Sequence, residues 1–441
     1  MTPASGGELL RAPLFHTPRN PFREARALES YADGGLLIHE GRIAACSDYA
    51  ALSASHPDAA TIDLRGGFLL PGFVDTHTHF PQLRILGGLG RSLLDWLERC
   101  ALPEEARMAD HTHACRIARA FVRSLAAHGT TTACVFGAHF APATAALFEA
   151  AQSAGLRMAA GQVLSDRRLL PELHQTPERA YRESSLLIDR FHRQGRLLYA
   201  VTPRFALSTS EAMLEVCQTL LAEHEELLLQ THINENADEI AEVARAFPGA
   251  PDYLTVYEKF GLAGPNAILA HNVHPTNSEL ERLASSRATV AHCPSSNAAL
   301  GSGLFPMKRH IHAGVRVALG ADVGGGTGFG MLKEGLQAYL LQRIAPDGML
   351  LDAGHLLYLS TLAGAEALGL GKETGDFHAG KSADFVYLRP PAASPLAAVL
   401  EREQESERML AAIFTLAGAE SIQEVRVAGT VVYRSANAER R

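Results

Sequence analysis

The sequence predicts an α/β chain, a (β/α)8 TIM barrel carrying a small β-sandwich domain built from both termini. Three observations predict it. Apolar strand candidates recur near residues 68–76, 130–136, 157–163, 196–202, 227–232, 266–271, 288–292 and 315–321. Helix-forming stretches, among them 210–223, 237–246 and 279–284, lie between most of them. Short β-rich segments around glycine turns occupy both ends of the chain. About eight β–α units in series close into a parallel barrel. An open doubly wound sheet is the rival, but no glycine-rich phosphate loop follows the first strand here.

Taken in order, residues 36–39, the turn Glu40-Gly41-Arg42 and residues 43–46 form a hairpin signal. Residues 61–64 add a strand and 65–67 a turn. Residues 383–388 and 425–433 have the same texture, so 1–67 and 374–441 are expected to form one β domain around a barrel of 68–373. With 441 residues and 47% apolar composition, the chain can bury a large core. A net charge of −8 and a pI near 6.2 argue against nucleic acid and anionic membranes as partners. The arginine-rich end Glu439-Arg440-Arg441 is too short to change that. Six cysteines without a Cys-x-x-Cys pair read as free thiols in a reducing compartment. No basic-then-apolar leader opens the sequence and no run reaches membrane length. The expectation is a cytoplasmic protein.

The chemistry gathers at the strand ends, where barrels place their active sites. His77 and His79 close the first strand, and on a strand two residues apart face the same way. Twenty histidines in 441 residues give about one His-x-His by chance, and this chain has three. The other two, His111/His113 and His310/His312, fall on helix-forming stretches, where i and i+2 do not face each other. The fourth strand ends in Arg204-Phe205, the fifth in His232 and Glu235, the sixth in His271, the seventh in His292-Cys293 and the eighth in Asp322. A single buried histidine is ordinarily a core residue with satisfied hydrogen bonds. Five strands delivering His or Asp to one rim is a different observation.

His77, His79, His232 and Asp322 form a nitrogen and oxygen set suited to Zn²⁺ or Fe²⁺, with water in the remaining position. Glu235 is placed as a proton carrier, or else as a carboxylate at a helix N-terminus. His271 either hydrogen-bonds the reacting oxygen or supports the ligands. Two other features read as bland. Gly326-x-Gly328-x-Gly330 lacks the full phosphate-loop fingerprint and follows the last strand. Cys293 and His292 are strand neighbours on opposite faces, so the thiol reads as structural.

The strand-end series 71–79 (Pro-Gly-Phe-Val-Asp-Thr-His-Thr-His), 232–235 (His-Ile-Asn-Glu), Ala270-His271 and Gly320-Ala321-Asp322 resembles the amidohydrolase superfamily. Segments 79–82, 93–97, 202–208, 253–257, 291–297 and 320–326 are similar to its guanine deaminase family. The resemblance implies one Zn²⁺ held by His77, His79, His232 and Asp322. It implies catalysis by Glu235, Asp322 and His271, and a purine substrate contacted by Gln82, Arg204, Phe205, His232 and His271. The reaction would be hydrolytic removal of the C2 amine of guanine, giving xanthine and ammonia, by a homodimer. The segment 80–128 is expected to shape or cover the pocket, with Trp96 as a wall. Binuclear relatives carry a carboxylated lysine where this chain has Arg204, which favours one metal. A planar guanidinium also suits the O6/N7 edge of guanine. Phe205 can stack on the ring or simply pack. Two competitors remain: a deaminase of a related heterocycle (8-oxoguanine, a pterin or an aminated triazine), and a metal-free scaffold relative. The scaffold should have lost ligands, and here all are present.

Overall fold

The computed structural model describes residues 7–224 and 226–436. The arginine-rich end, residues 439–441, lies outside the described residues, as do the first six. The first strands are β1 (Glu8–His16), β2 (Glu29–His39), β3 (Arg42–Asp48), β4 (Ala60–Asp63) and β5 (Phe68–Pro71). Then come β6 (Phe73–His79), β7 (Thr130–Phe136), β8 (Arg157–Gly161), β9 (Val163–Leu164) and β10 (Leu197–Pro203). The series continues with β11 (Leu228–Ile233), β12 (Ala267–His271), β13 (Thr289–His292) and β14 (Arg316–Leu319). The chain ends with β15 (Phe385–Leu388), β16 (Ile422–Val427) and β17 (Thr430–Arg434).

Two sheets result. Both termini build the first, in the order β17-β16-β15-β5-β1-β2-β3 with β4 beside β1. The predicted hairpin is β2 paired antiparallel with β3. The second sheet is the barrel, β6 to β14 in sequential parallel order, with the short β9 extending the path of β8 along β10. Its first and last strands meet through side chains and loop backbone. Thr76 Oγ1 donates to the Leu319 carbonyl at 2.8 Å, and the Asp322 amide donates to the His77 carbonyl at 2.8 Å. The seam that closes the barrel is thus made beside two of the predicted ligands.

One expectation needs correction. The apolar run 68–76 is two strands, not one. Phe68–Pro71 pairs with β1 and β15 in the terminal sheet, and the barrel starts at Phe73. Pro71 has no amide hydrogen to continue a ladder, and the chain changes sheets at Gly72. A side chain cannot fit there: a Cβ on Gly72 would sit 2.2 Å from Thr131 Oγ1. Gly72→Ala is therefore expected to cost about 1–3 kcal/mol of stability. An unaltered midpoint in urea unfolding would contradict this close packing.

One buried cluster takes a residue from each of the first seven barrel strands: Val74, Cys134, Ala159, Ala200, Leu228, Ile268 and Ala291. Ala365 and Leu368 join it. These mostly small side chains suit a barrel interior, which is packed rather than open. A much larger cluster joins the barrel strands to the surrounding helices. The predicted helices are present, with polar caps that satisfy their free amides. Ser210 caps Glu211–Glu223, Asn236 caps Ala237–Ala246 and Thr276 caps Asn277–Ser286. Among the described residues, no helix is long and apolar enough to cross a membrane.

Candidate active site

The four residues expected to hold a metal are brought together. His77 Nε2 lies 3.3 Å from His79 Nε2, which lies 3.3 Å from His232 Nε2. Asp322 Oδ1 is 3.4 Å from His77 Nε2 and 3.3 Å from His79 Nε2. An ion with bonds of about 2.05 Å in tetrahedral geometry separates its donors by about 3.3 Å. The spacing therefore fits a transition-metal ion. Burial pushes the His79 and His232 rings well below the usual histidine range, so each stays neutral with a lone pair. His232 Nδ1–H donates to the Arg204 carbonyl at 2.6 Å, which leaves Nε2 bare.

The strand ends turn their side chains inward at a backbone cost. Asn234, His271, Asn272 and Asp322 have φ of 48°, 73°, 45° and 47°. Left-handed conformations of non-glycine residues cost on the order of 1 kcal/mol or more each and gather at functional sites. The glycine run also serves this corner. The Gly326 amide donates to the Asp322 carbonyl, and a Cβ on Gly326 would lie 2.1 Å from the Ala321 carbonyl oxygen. Its role is the tight turn after Asp322.

A narrow cavity opens beside the donors. His79, His232, Glu235, His271 and Asp322 line it together with Gln82, Trp96, Arg204 and Phe205. His77 is buried and does not line the cavity. His271 Nδ1 pairs with Asn297 Oδ1 at 2.9 Å. Its Nε2 is buried without a hydrogen-bond partner, 3.5 Å from Glu235 Oε2 and 4.0 Å from Asp322 Oδ2. Burial and the Asp322 charge push the Glu235 carboxyl up to about 8, against a hydrogen bond from Ser302 Oγ at 3.3 Å. Glu235 precedes the capping residue Asn236, and its own amide is held by Glu239 at 3.0 Å.

Several groups were invisible in the sequence. Leu93, Leu97 and Leu300 supply apolar wall beside Trp96. Glu105, from helix Leu102–Ala106, reaches under the cavity and pairs with Arg204. Asn297 and Ser302 follow the seventh strand and hold His271 and Glu235. No spacing signal marks them: Pro103-Glu104-Glu105 looks like an ordinary acidic helix start. The two residues at the end of the seventh strand take different places. His292 stacks on Phe305 with ring centroids 4.2 Å apart, away from the donors. Burial pushes the Cys293 thiol well above its usual range, so it stays protonated, although its sulfur lies near His77 and His271. The pair His310/His312 sits on helix Met307–Ala313, where His310 bonds Pro306 and Asn272.

Known proteins share the fold over nearly the whole chain. The probable guanine deaminase of Deinococcus radiodurans is 55% identical over 97% of this chain and 98% of its own length. The solved E. coli guanine deaminase superposes with a TM-score of 0.93 at 39% identity, covering 97% of this chain and 99% of that one. A guanine deaminase from C. acetobutylicum, solved with guanine in its active site, has a TM-score of 0.89 at 25% identity over 97% and 100%. The description of the amidohydrolase family matches residues 68–432, and by that span the chain belongs to the amidohydrolase family.

Proposed function

We propose that this chain is a guanine deaminase, converting guanine and water to xanthine and ammonia with one bound Zn²⁺. One observation carries the reading: an arginine and a glutamine suited to a purine edge share a small cavity with a four-donor centre. The likeness to guanine deaminases over nearly the whole chain supports it. His77, His79, His232 and Asp322 would hold the metal. When bound, the metal supplies acidification of water, from a pKa of about 15.7 towards about 7. Fe²⁺ suits the same donors, and metal analysis of purified protein distinguishes them.

The chain's own groups divide the remaining work. Arg204 and Gln82 hold the base, while Phe205, Trp96 and the leucines exclude water. A carboxyl held protonated near neutral pH is matched to proton donation. Glu235 therefore gives its proton to ring N3 as oxygen adds at C2; as the C2–N bond breaks it passes the proton of the new hydroxyl to the departing amine, and the proton held by Asp322 then restores it. Asp322 takes the proton released by the attacking water. His271 Nε2, facing both carboxyl groups, steadies the oxygen being added. Ser302→Ala removes the donor that holds Glu235 Oε1 and is expected to lower kcat about tenfold. Steady-state kinetics on zinc-loaded protein checks it.

The direct test is ammonia release from guanine, with 8-oxoguanine, a pterin, an aminated triazine and adenine alongside. Fast turnover of guanine over the others supports the reading. Fully metal-loaded protein that leaves guanine untouched overturns it and returns Arg204, Phe205 and Gln82 to another heterocycle. We also propose that the chain acts as a homodimer in cytoplasmic purine catabolism; light scattering of the purified chain reads the oligomer.

A further inference from the structure

Beneath the cavity lies a charged residue with no part in the chemistry described above. Glu105 is buried, and both its oxygens are engaged. Arg204 Nη1 donates to Oε1 at 2.7 Å and to Oε2 at 2.6 Å, and Gln82 Nε2 donates to Oε1 at 2.8 Å. His139 Nδ1 lies 3.4 Å from Oε2, with its other ring nitrogen 2.8 Å from Ser165 Oγ. Burial opposes ionisation of Glu105, but Arg204, His139 and Gln82 outweigh it and hold the carboxyl down to about 2.

We propose that Glu105 is the positioning residue for base recognition, setting which atoms Arg204 and Gln82 present to the substrate. Among the described residues, the side-chain hydrogen bonds of Arg204 run through Nη1, which leaves Nε and Nη2 for a ligand. The effect on Gln82 is equally specific. An ionised carboxylate only accepts hydrogen bonds, so it takes the amide nitrogen of Gln82 and leaves the oxygen. Gln82 Oε1 is buried with no hydrogen-bond partner among the described residues. Glu105 thus fixes a donor fork and an acceptor in one cavity. The 6-oxo group of guanine accepts from the fork, and a neighbouring ring N–H donates to Gln82 Oε1. Pairing also neutralises Arg204. A bare guanidinium in a dry cavity would favour anions over a neutral purine.

The inference rests on guanine as the substrate, and the test separates the two. Guanine is compared with 2-aminopurine, which carries the same reacting amine but no 6-oxo group. Glu105→Gln keeps the shape but can donate as well as accept, so neither Arg204 nor the Gln82 amide keeps one orientation. The expected result is a guanine KM raised at least about tenfold, with kcat within about threefold of wild type. The ratio of kcat/KM for guanine over 2-aminopurine should fall at least about tenfold. A purely structural role would lower the melting temperature and scale both substrates alike, so an unchanged ratio in metal-loaded variant overturns the proposal. If Glu105→Gln fails to fold, Glu105→Asp keeps the charge but draws it back by one methylene, and the same ratio decides. Wild-type protein that deaminates neither compound overturns the substrate reading instead, and this inference with it.

Discussion

Glu235→Gln will cut guanine turnover by roughly 10²–10⁴-fold and leave the metal in place, because general acid–base help is worth about that much. The substitution is nearly isosteric. It keeps the hydrogen-bond acceptor facing Ser302 and removes a carboxyl that burial and the Asp322 charge push up to about 8. Glu235 is outside the four-donor set, so metal content should match wild type. The fold should also tolerate the change, since a neutral amide replaces a carboxyl that is itself neutral in the substrate-free site. The measurement is kcat on metal-loaded protein, with metal content and melting temperature in parallel. Near-normal turnover would remove Glu235 from proton transfer and leave the position as a helix N-terminal carboxylate. A loss of turnover that tracks a loss of metal would place it among the ligands instead.

The strand ends were legible because barrel topology and strand periodicity together leave little freedom. A parallel strand two residues from its end must aim alternate side chains at the mouth, and His77/His79 obey that rule. The chain order of the strands then places His232, His271 and Asp322 on the same rim. What periodicity cannot supply is where a strand breaks into another sheet. Residues 68–74 carry no polar side chain, so the pattern is silent about Gly72, where contact with Thr131 makes the difference. His292 shows the same limit from the other side. Its strand points it toward the mouth, yet the side chain finds Phe305 instead.

The second kind of gap is the helical segment after β6. Its secondary structure is a succession of short 3-10, α and π turns from Phe80 to Ala109, set by tertiary packing rather than propensity. Trp96 could be guessed as a wall because a lone tryptophan in such a segment wants an apolar partner, and it packs with Leu93 and Leu300. Glu105 could not. A glutamate three residues into a short helix belongs by default in solvent, and only the buried Arg204 explains why it is inside. Arg204 itself was read as a free fork, whereas one of its terminal nitrogens is committed to that carboxylate.

Asp322→Asn should be at least as damaging to turnover as Glu235→Gln, by a different route. The carboxylate supplies the only negative charge among the four donors, and its Oδ1 stands 3.3–3.4 Å from two histidine nitrogens. An asparagine fills the same space but offers a neutral amide oxygen, a weaker ligand and no proton acceptor. Metal affinity and the proton sink are lost together. Since acidification of water by the metal spans roughly eight pKa units, turnover at ordinary zinc concentrations should fall by more than about 10⁴-fold. Stability provides the separating measurement. A ligand that binds only the folded state stabilises it by about 2.7 kcal/mol at a hundredfold excess over its Kd. Wild-type protein and Glu235→Gln should therefore gain melting temperature on adding zinc, while Asp322→Asn should gain little. Should Asp322→Asn instead retain stoichiometric zinc with the full thermal shift, the three histidines alone make the site. Asp322 would then act on protons only, and the assignment of a four-donor centre would have to be given up.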